Sequence, residues 1–319
     1  MTTTAYNPTD ALPALGPSPD GTWSRLKQSG RFMTGAIVLL VVVGACVASL
    51  PYTARPSSIY FDFQDAQVVR HAPSNESVRL WFGTDGLGRS MLGRCLVGGL
   101  ISLGIGLAAA TISVVLGVTV GLVAGYKGGW IDALLMRAVD VLYGLPYILL
   151  VVLFKVALEP PLRVVFNPGA ANLVVMFLSI GLVSWLTMAR VVRGQVLSLR
   201  SQPFIEACRA AGLPQSRIFL KHLLPNLIGP ITVYATLTVP QAILQESFLS
   251  FLGIGIQPPL PTWGSLASDG LLPALNPINS YWWLLAFPCI LLAVTLLALN
   301  FIGDGLRDVF DPKREAAKI

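Results

Sequence analysis

QPFIEACRAAGLPQSRIFLKHLLPN, Gln202 to Asn226, is a polar island between two long apolar runs. Pro203 suits the first position of a helix, and Gly212 suits a helix stop. Pro214 can open a second short helix, which Pro225 must then end because proline lacks the donor and clashes with the preceding turn. The stretch predicts two short helices with a bend at Gly212 and Leu213, held between elements of a different kind.

Those elements belong to a membrane. The chain has 319 residues, of which 54% are hydrophobic and 12% charged, with a mean hydropathy of +0.69; ordinary soluble domains use roughly 25% charged residues. The net charge of +6 comes from cations scattered over loops, without a basic stripe and interleaved aromatics, so nucleic acid is not an expected partner. Cys46, Cys95, Cys208 and Cys289 are too far apart for a disulfide framework or a zinc spacing. His71 and His222 have no second ligand at metal spacing, so no metal site is expected. Residues 1–31 are rich in polar residues, Pro and Gly without an apolar core, which predicts a disordered tail and no cleaved signal peptide.

About 20 largely apolar residues at 1.5 Å each cross roughly 30 Å of hydrocarbon. Six stretches qualify, near 32–50, 97–124, 134–157, 172–192, 227–249 and 282–303. With the N-terminus inside, most of the 22 Lys and Arg fall on inner segments, including Arg190, Arg193, Arg200, Arg209, Arg217 and Lys221. This excess predicts both termini on the cytoplasmic side. The second span carries Ala109, Ser113, Gly117, Gly121 and Gly125 at four-residue intervals, a stripe that lets another helix approach closely and predicts a central position. In the third span Pro146 predicts a bend, and Arg137 with Asp140, one turn apart, predicts a local ion pair. The fifth span is the most polar, and Tyr234, Thr238, Gln241, Gln245 and Glu246 are the candidate lining of a translocation pathway, with interhelical hydrogen bonding as the alternative.

GTDGLGRSMLGR, Gly83 to Arg94, predicts a tight turn leading into an interfacial helix, with Asp85 and Arg89 paired at i and i+4. Its glycines do not sit in the strand, loop and helix order that a phosphate-cradling loop requires, and no GxxxxGK[ST] occurs anywhere in the chain. Residue chemistry alone therefore leads to a six-helix polytopic protein with a structured inner loop.

A family resemblance goes further. Glu206-Ala207, Gly212 and Leu224-Pro225 resemble the EAA loop of ABC importer permeases, and His222-Leu223-Leu224-Pro225-Asn226 is similar to the oligopeptide and dipeptide branch. Cys208 stands where that loop usually has alanine. Gly83–Arg94 resembles GTD-x-x-GRD-x-x-SR of the same branch, with Ser90 in place of Asp and Gly93 in place of Ser. ESFLSFLGIGIQPPLPTWG from Glu246 and NFIGDGLRDVFDPK near the C-terminus resemble further segments in the family's order.

The resemblance implies an all-α polytopic membrane protein of six transmembrane helices with the type I ABC importer (MetI-like) permease fold, in a bacterial cytoplasmic (inner) membrane. It implies a cytoplasmic tail over 1–31, a first span at 32–50 and an extracytoplasmic loop with an interfacial segment at 51–96. A permease core then covers 97–303 with a coupling loop at 200–226, and a second cytoplasmic tail covers 304–319. It also implies a second homologous permease, two ATPase subunits that bind ATP and Mg, and an extracytoplasmic solute-binding protein, around a chain that is no enzyme and binds no cofactor. Peptide is the implied cargo, with nickel or glutathione as alternatives. Glu206, Ala207, Cys208, Gly212, His222, Leu224 and Pro225 would couple to the ATPase. Glu206 would reach a basic group, and Ala207, Cys208, Ala210 and Ala211 would keep the helix slim enough for a groove. A secondary transporter using Asp140, Lys155 and Glu246 as intramembrane charges is a further alternative, although these lie near predicted span ends. A non-transporting membrane scaffold is the third.

Overall fold

The computed structural model describes residues 22–55, 57 and 59–310, so residues 1–21 and 311–319 of the two expected tails lie outside the described residues. The described chain is helical: α1 (Thr22–Gln28), α2 (Gly30–Thr53), α3 (Met91–Lys127), α4 (Gly129–Tyr143), α5 (Tyr147–Val165), α6 (Pro168–Arg200), α7 (Pro203–Ala210), α8 (Gln215–Ile218), α9 (Leu224–Phe251), α10 (Trp263–Ala274) and α11 (Trp283–Phe310). Where the sequence predicts a disordered tail, α1 forms with Leu26 buried. It ends where Ser29 caps α2 by accepting from the Phe32 amide.

Helices α2, α3, α6, the run Phe219–Phe251 and α11 are each long and apolar enough to cross a membrane. The third predicted span differs from the single bent helix that the sequence suggests. Its two parts, α4 and α5, meet at 98°. Gly144 caps α4 and Pro146 caps α5; Leu145 between them precedes a proline and is pushed out of helical conformation, so the chain breaks instead of kinking.

Helices α3 and α6 form the central pair, and the small-residue stripe is their seam. A methyl group on Gly117 would meet Met188, one on Gly121 the Ala189 carbonyl, and one on Gly125 Val196. Ser113 donates to the Ser184 carbonyl at 3.1 Å across the same seam. In lipid, where apolar surface gains little from pairing, such backbone approach supplies the packing. Helix α3, at 37 residues, is ~55 Å long, well beyond the roughly 30 Å of hydrocarbon. Helix α2 leans on α11, with Gly35 against Ala298 and Phe301 and Gly305 against Phe32.

One end of the bundle is closed by residues 59–90 and 252–282. Trp263 is its keystone, fully buried, donating from Nε1 to the Cys95 carbonyl at 2.9 Å and lying in a notch left by Gly99. The predicted tight turn is present, but it runs straight into α3 without a separate interfacial helix. Ser90 caps α3 and donates to the Arg79 carbonyl, while Gly93 leaves room for the Ile59 carbonyl. Both residues that depart from the family pattern thus have a local role.

Candidate functional site

The opposite end of the bundle carries residues 202–226. Helix α7 stops with Gly212 at φ 71°, the Leu213 amide donating to the Cys208 carbonyl (3.1 Å) and the Gly212 amide to the Arg209 carbonyl (2.9 Å). This is the double closure that a left-handed glycine allows at a helix end. Ile205, Ile218 and Leu223 are buried together, joined by Cys208, Leu213, Phe219, Tyr126 and Leu199, so the hairpin is pinned to the ends of α3 and α6. The Tyr126 and Phe219 rings meet edge to face at 6.0 Å. On the other side of α7, Phe204, Glu206, Ala207, Arg209, Ala210 and Ala211 are exposed. Cys208 therefore does not belong to the slim outer face where the sequence places it. It lies one turn after Ile205, on the anchoring side.

Pro225 does not end the second helix of the hairpin. From Phe219 to Leu223 the chain makes a π turn, in which the Leu224 amide donates to the Phe219 carbonyl, and α9 follows without a break. The wider turn absorbs a residue in the ladder just ahead of a proline that cannot join it. His222 is half-buried here, and its carbonyl accepts from Asn226 Nδ2 at 2.6 Å. Leu224 is half-buried and Pro225 exposed. The outcome is one continuous helical path from Gln215 to Phe251.

Further along that path, Tyr234, Thr238, Gln241 and Gln245 line one cavity of about 520 Å³, together with Tyr143, Tyr147, Thr187 and apolar residues of α5 and α6. This volume lies in the range of small-molecule sites, about 300–1,000 Å³. Glu246 does not join them. One residue on from Gln245 means about 100° around the helix, and its carboxylate is buried elsewhere, accepting from Ser250 Oγ (2.6 Å) and Thr262 Oγ1 (2.7 Å). It ties the end of α9 to the start of α10. Nearby, Lys155 of α5 donates to the Ile254 and Gly255 carbonyls, tying α5 to the segment after α9.

Charges divide between the two ends. Asp140 binds Arg190 of α6 at 2.8 Å, not Arg137 on its own helix, and Asp132 binds Arg193 through both oxygens (2.5 and 2.7 Å). These two pairs fasten α4 to α6. At the far end the expected Asp85 and Arg89 pair is present at 2.8 Å, within a larger cluster: Asp85 also holds Arg94 at 2.5 Å, and Arg89 holds Asp62 at 3.0 Å. Burial pushes the Asp85 carboxyl up, but the charge of Arg94 and the amide and charge of Arg89 outweigh it and hold the group below the usual carboxylate range. Asp269 of α10 goes the other way, since its burial outweighs the pull of Arg94 and Arg89.

Sequence reasoning missed Tyr147, whose ring enters the cavity wall from α5, and Arg190 as the partner of Asp140. The helix break at Gly144-Leu145-Pro146 was the available signal for Tyr147, because it turns the first residue of α5 toward α9.

Residues 117–316 match the family described as "Binding-protein-dependent transport system inner membrane component". The chain is 42% identical to the dipeptide transport system permease protein DppC of Bacillus subtilis, over 94% of this chain and 87% of that one. It is 44% identical to the oligopeptide transport system permease protein OppC of Escherichia coli K12, over 89% and 87%. It is 40% identical to the OppC of Haemophilus influenzae, over 91% and 88%. Its fold is similar to a chain of the MetNI methionine ABC transporter in an inward-facing conformation, with a TM-score of 0.54 and 21% identity over 67% of this chain and 96% of that one. With its membrane-length helices, its capped hairpin and these relatives together, the chain belongs to the family of inner-membrane permease components of binding-protein-dependent ABC transport systems.

Proposed function

We propose that this chain is one permease half of an ATP-driven peptide importer, non-catalytic itself and worked by separate ATPase subunits docked on residues 202–226. The observation that carries the reading is the unbroken helical path that starts at Gln215, directly after the bend closing α7, and runs through the π turn to the cavity-lining face of α9. A surface open to a partner and the cavity wall are thus joined through one bend, pinned by Ile205, Ile218 and Leu223. The names of the relatives support peptide as the cargo.

In this reading the hairpin end is cytoplasmic, as are both termini. Phe204, Ala207 and Ala211 enter a groove on the ATPase, and Glu206 meets a basic group there. Gly212, His222, Leu224 and Pro225 shape the connection, and Cys208 with Ile205 anchors it. When two ATPases close on ATP and Mg, the hairpin is displaced and α9 moves with it. Tyr234, Thr238, Gln241 and Gln245 form this chain's part of the pathway, Glu246 supports the gate from behind, and a second homologous permease supplies the other half. A solute-binding protein delivers cargo to the end formed by residues 59–90 and 252–282.

Two measurements on the intact assembly test this. The tagged chain should co-purify with a second permease and an ATPase. Cells lacking it should lose uptake of labelled di- and oligopeptides and regain it on complementation. Uptake of nickel or glutathione alone would replace the cargo, and transport by the purified chain without any ATPase would overturn the reading.

A further inference from the structure

Residues 252–262, between α9 and α10, have no helical ladder of their own, so their backbone groups must find partners elsewhere. Helix α9 closes at Gly253, φ 77°, whose amide donates to the Ser250 carbonyl while the Ile254 amide donates to the Leu249 carbonyl. The next two carbonyls turn to α5: Lys155 Nζ donates to those of Ile254 and Gly255, the second at 3.2 Å. Asn172 Oδ1 of α6 accepts from the Gln257 amide at 3.1 Å. Ile256, between these contacts, is 4% exposed and joins the apolar cluster that contains Leu150 and Val183 of the cavity wall. Lys155 is ~7.5 Å along α5 beyond Leu150, and Phe251 is ~9 Å along α9 beyond Gln245. The segment therefore crosses beyond the cavity, on the side away from the hairpin.

A buried ammonium is ordinarily paired with a carboxylate. Lys155 is 9% exposed, and among the described residues no carboxylate lies within 4 Å of it. The acid one turn further along α5, Glu159, is bound instead to the exposed Arg163 at 2.5 Å. We infer that Lys155 is a positioning residue that latches residues 252–257 shut across the mouth of the pathway away from the hairpin, and that on opening its ammonium exchanges the two carbonyls for Glu159. The inference rests on the importer reading and adds the residue that holds the closed state. A contact made in only one of two states shifts the balance toward that state, and hydrogen bonds from a charged donor are the strong ones. Glu159, at i+4, stands on the same face of α5. It keeps the cation paired once the segment has moved, so that opening does not leave a lone charge at membrane depth.

The test uses the complete transporter. Lys155→Met keeps the stem and loses the donors, so ATP hydrolysis in proteoliposomes without binding protein should rise about three- to tenfold. Ile256→Cys, introduced into the same chain, should react with an impermeant maleimide added outside spheroplasts faster by a similar factor, above the background of the four native cysteines. Lys155→Arg, which keeps charge and donors, should return both readings toward wild type. Glu159→Gln removes the waiting partner and should act in the opposite direction, lowering hydrolysis stimulated by binding protein and peptide uptake about two- to fivefold. Its thermal midpoint should barely move, since only a surface pair is broken; if Lys155→Met does not assemble, this variant decides. A purely structural role would lower the midpoint of Lys155→Met and leave hydrolysis and labelling as in wild type. That result, or a Glu159→Gln transporter indistinguishable from wild type, would overturn the latch while leaving peptide import intact. Uptake by the wild-type complex that does not depend on ATP would overturn the import reading itself.

Discussion

At the end of the bundle closed by residues 59–90 and 252–282, Asp85 is 7% exposed and grips Arg89 and Arg94, and Arg94 is 4% exposed. At the hairpin end Glu206 and Arg209 stand in the open beside an exposed Phe204. Glycines divide in the same way. Gly88 and Gly212 have almost the same left-handed backbone, φ 70° and 71°. A methyl group on Gly88 would run into the Asp65 backbone, whereas one on Gly212 would meet nothing within 4 Å. The first end pairs its buried carboxylates and guanidinium groups with one another. The second pins itself by three buried apolar residues and leaves its outer face free, as a surface meant for another molecule would.

Substitutions should separate the two ends. The largest effect is expected for Asp85→Ala, which strands the buried Arg94 and should cost about 3–5 kcal/mol, read as a lower thermal midpoint of the detergent-solubilised complex. An unaltered midpoint would mean that the cluster is not structural. Next come the paired glycines. Gly88→Ala adds a backbone collision to an unfavourable φ and should cost about 2 kcal/mol or more, while Gly212→Ala meets only the φ penalty of about 1–2 kcal/mol. Equal losses would erase the contrast between a jammed turn and an open one.

Smaller again is the pH response. Asp85 is held below its unfolded value near 3.9, so its contribution is fully present above that value and is lost as pH falls toward its folded one. Asp269, held above the usual range, contributes with the opposite sign. The comparison that isolates Asp85 is therefore wild type against Asp85→Asn. The stability gap between them should narrow as pH drops below about 4, and a gap constant from pH 6 to 3 would remove the charge from the account.

Much of this was legible beforehand, and the rest failed for identifiable reasons. The small-residue stripe from Ala109 to Gly125 pointed to a contact face, which α6 fills along Ser113, Gly117, Gly121 and Gly125, because spacing on one helix fixes a face whatever the partner. The hairpin was readable from Pro203 and Gly212, which act locally. Pro225 misled, because the π turn that accommodates it depends on packing of Phe219 and Leu223 against α3 and α6, which no local rule contains. Asp140 misled for a related reason: Arg137 is near in sequence, but Arg190 is near in space. Glu246 was grouped with Gln245 as polar at membrane depth, although one step along a helix separates a cavity wall from a buried strut.

The smallest expected change in stability belongs to the residue with the largest expected change in function. Glu206→Lys alters an exposed side chain and should move the midpoint by no more than about 0.5 kcal/mol, so the assembled complex can be purified and compared at equal occupancy. Peptide uptake and ATPase stimulation by loaded binding protein, measured together in proteoliposomes, test the account most directly. It requires both to fall sharply while the complex stays whole. Uptake and stimulation equal to wild type in an intact complex would contradict it.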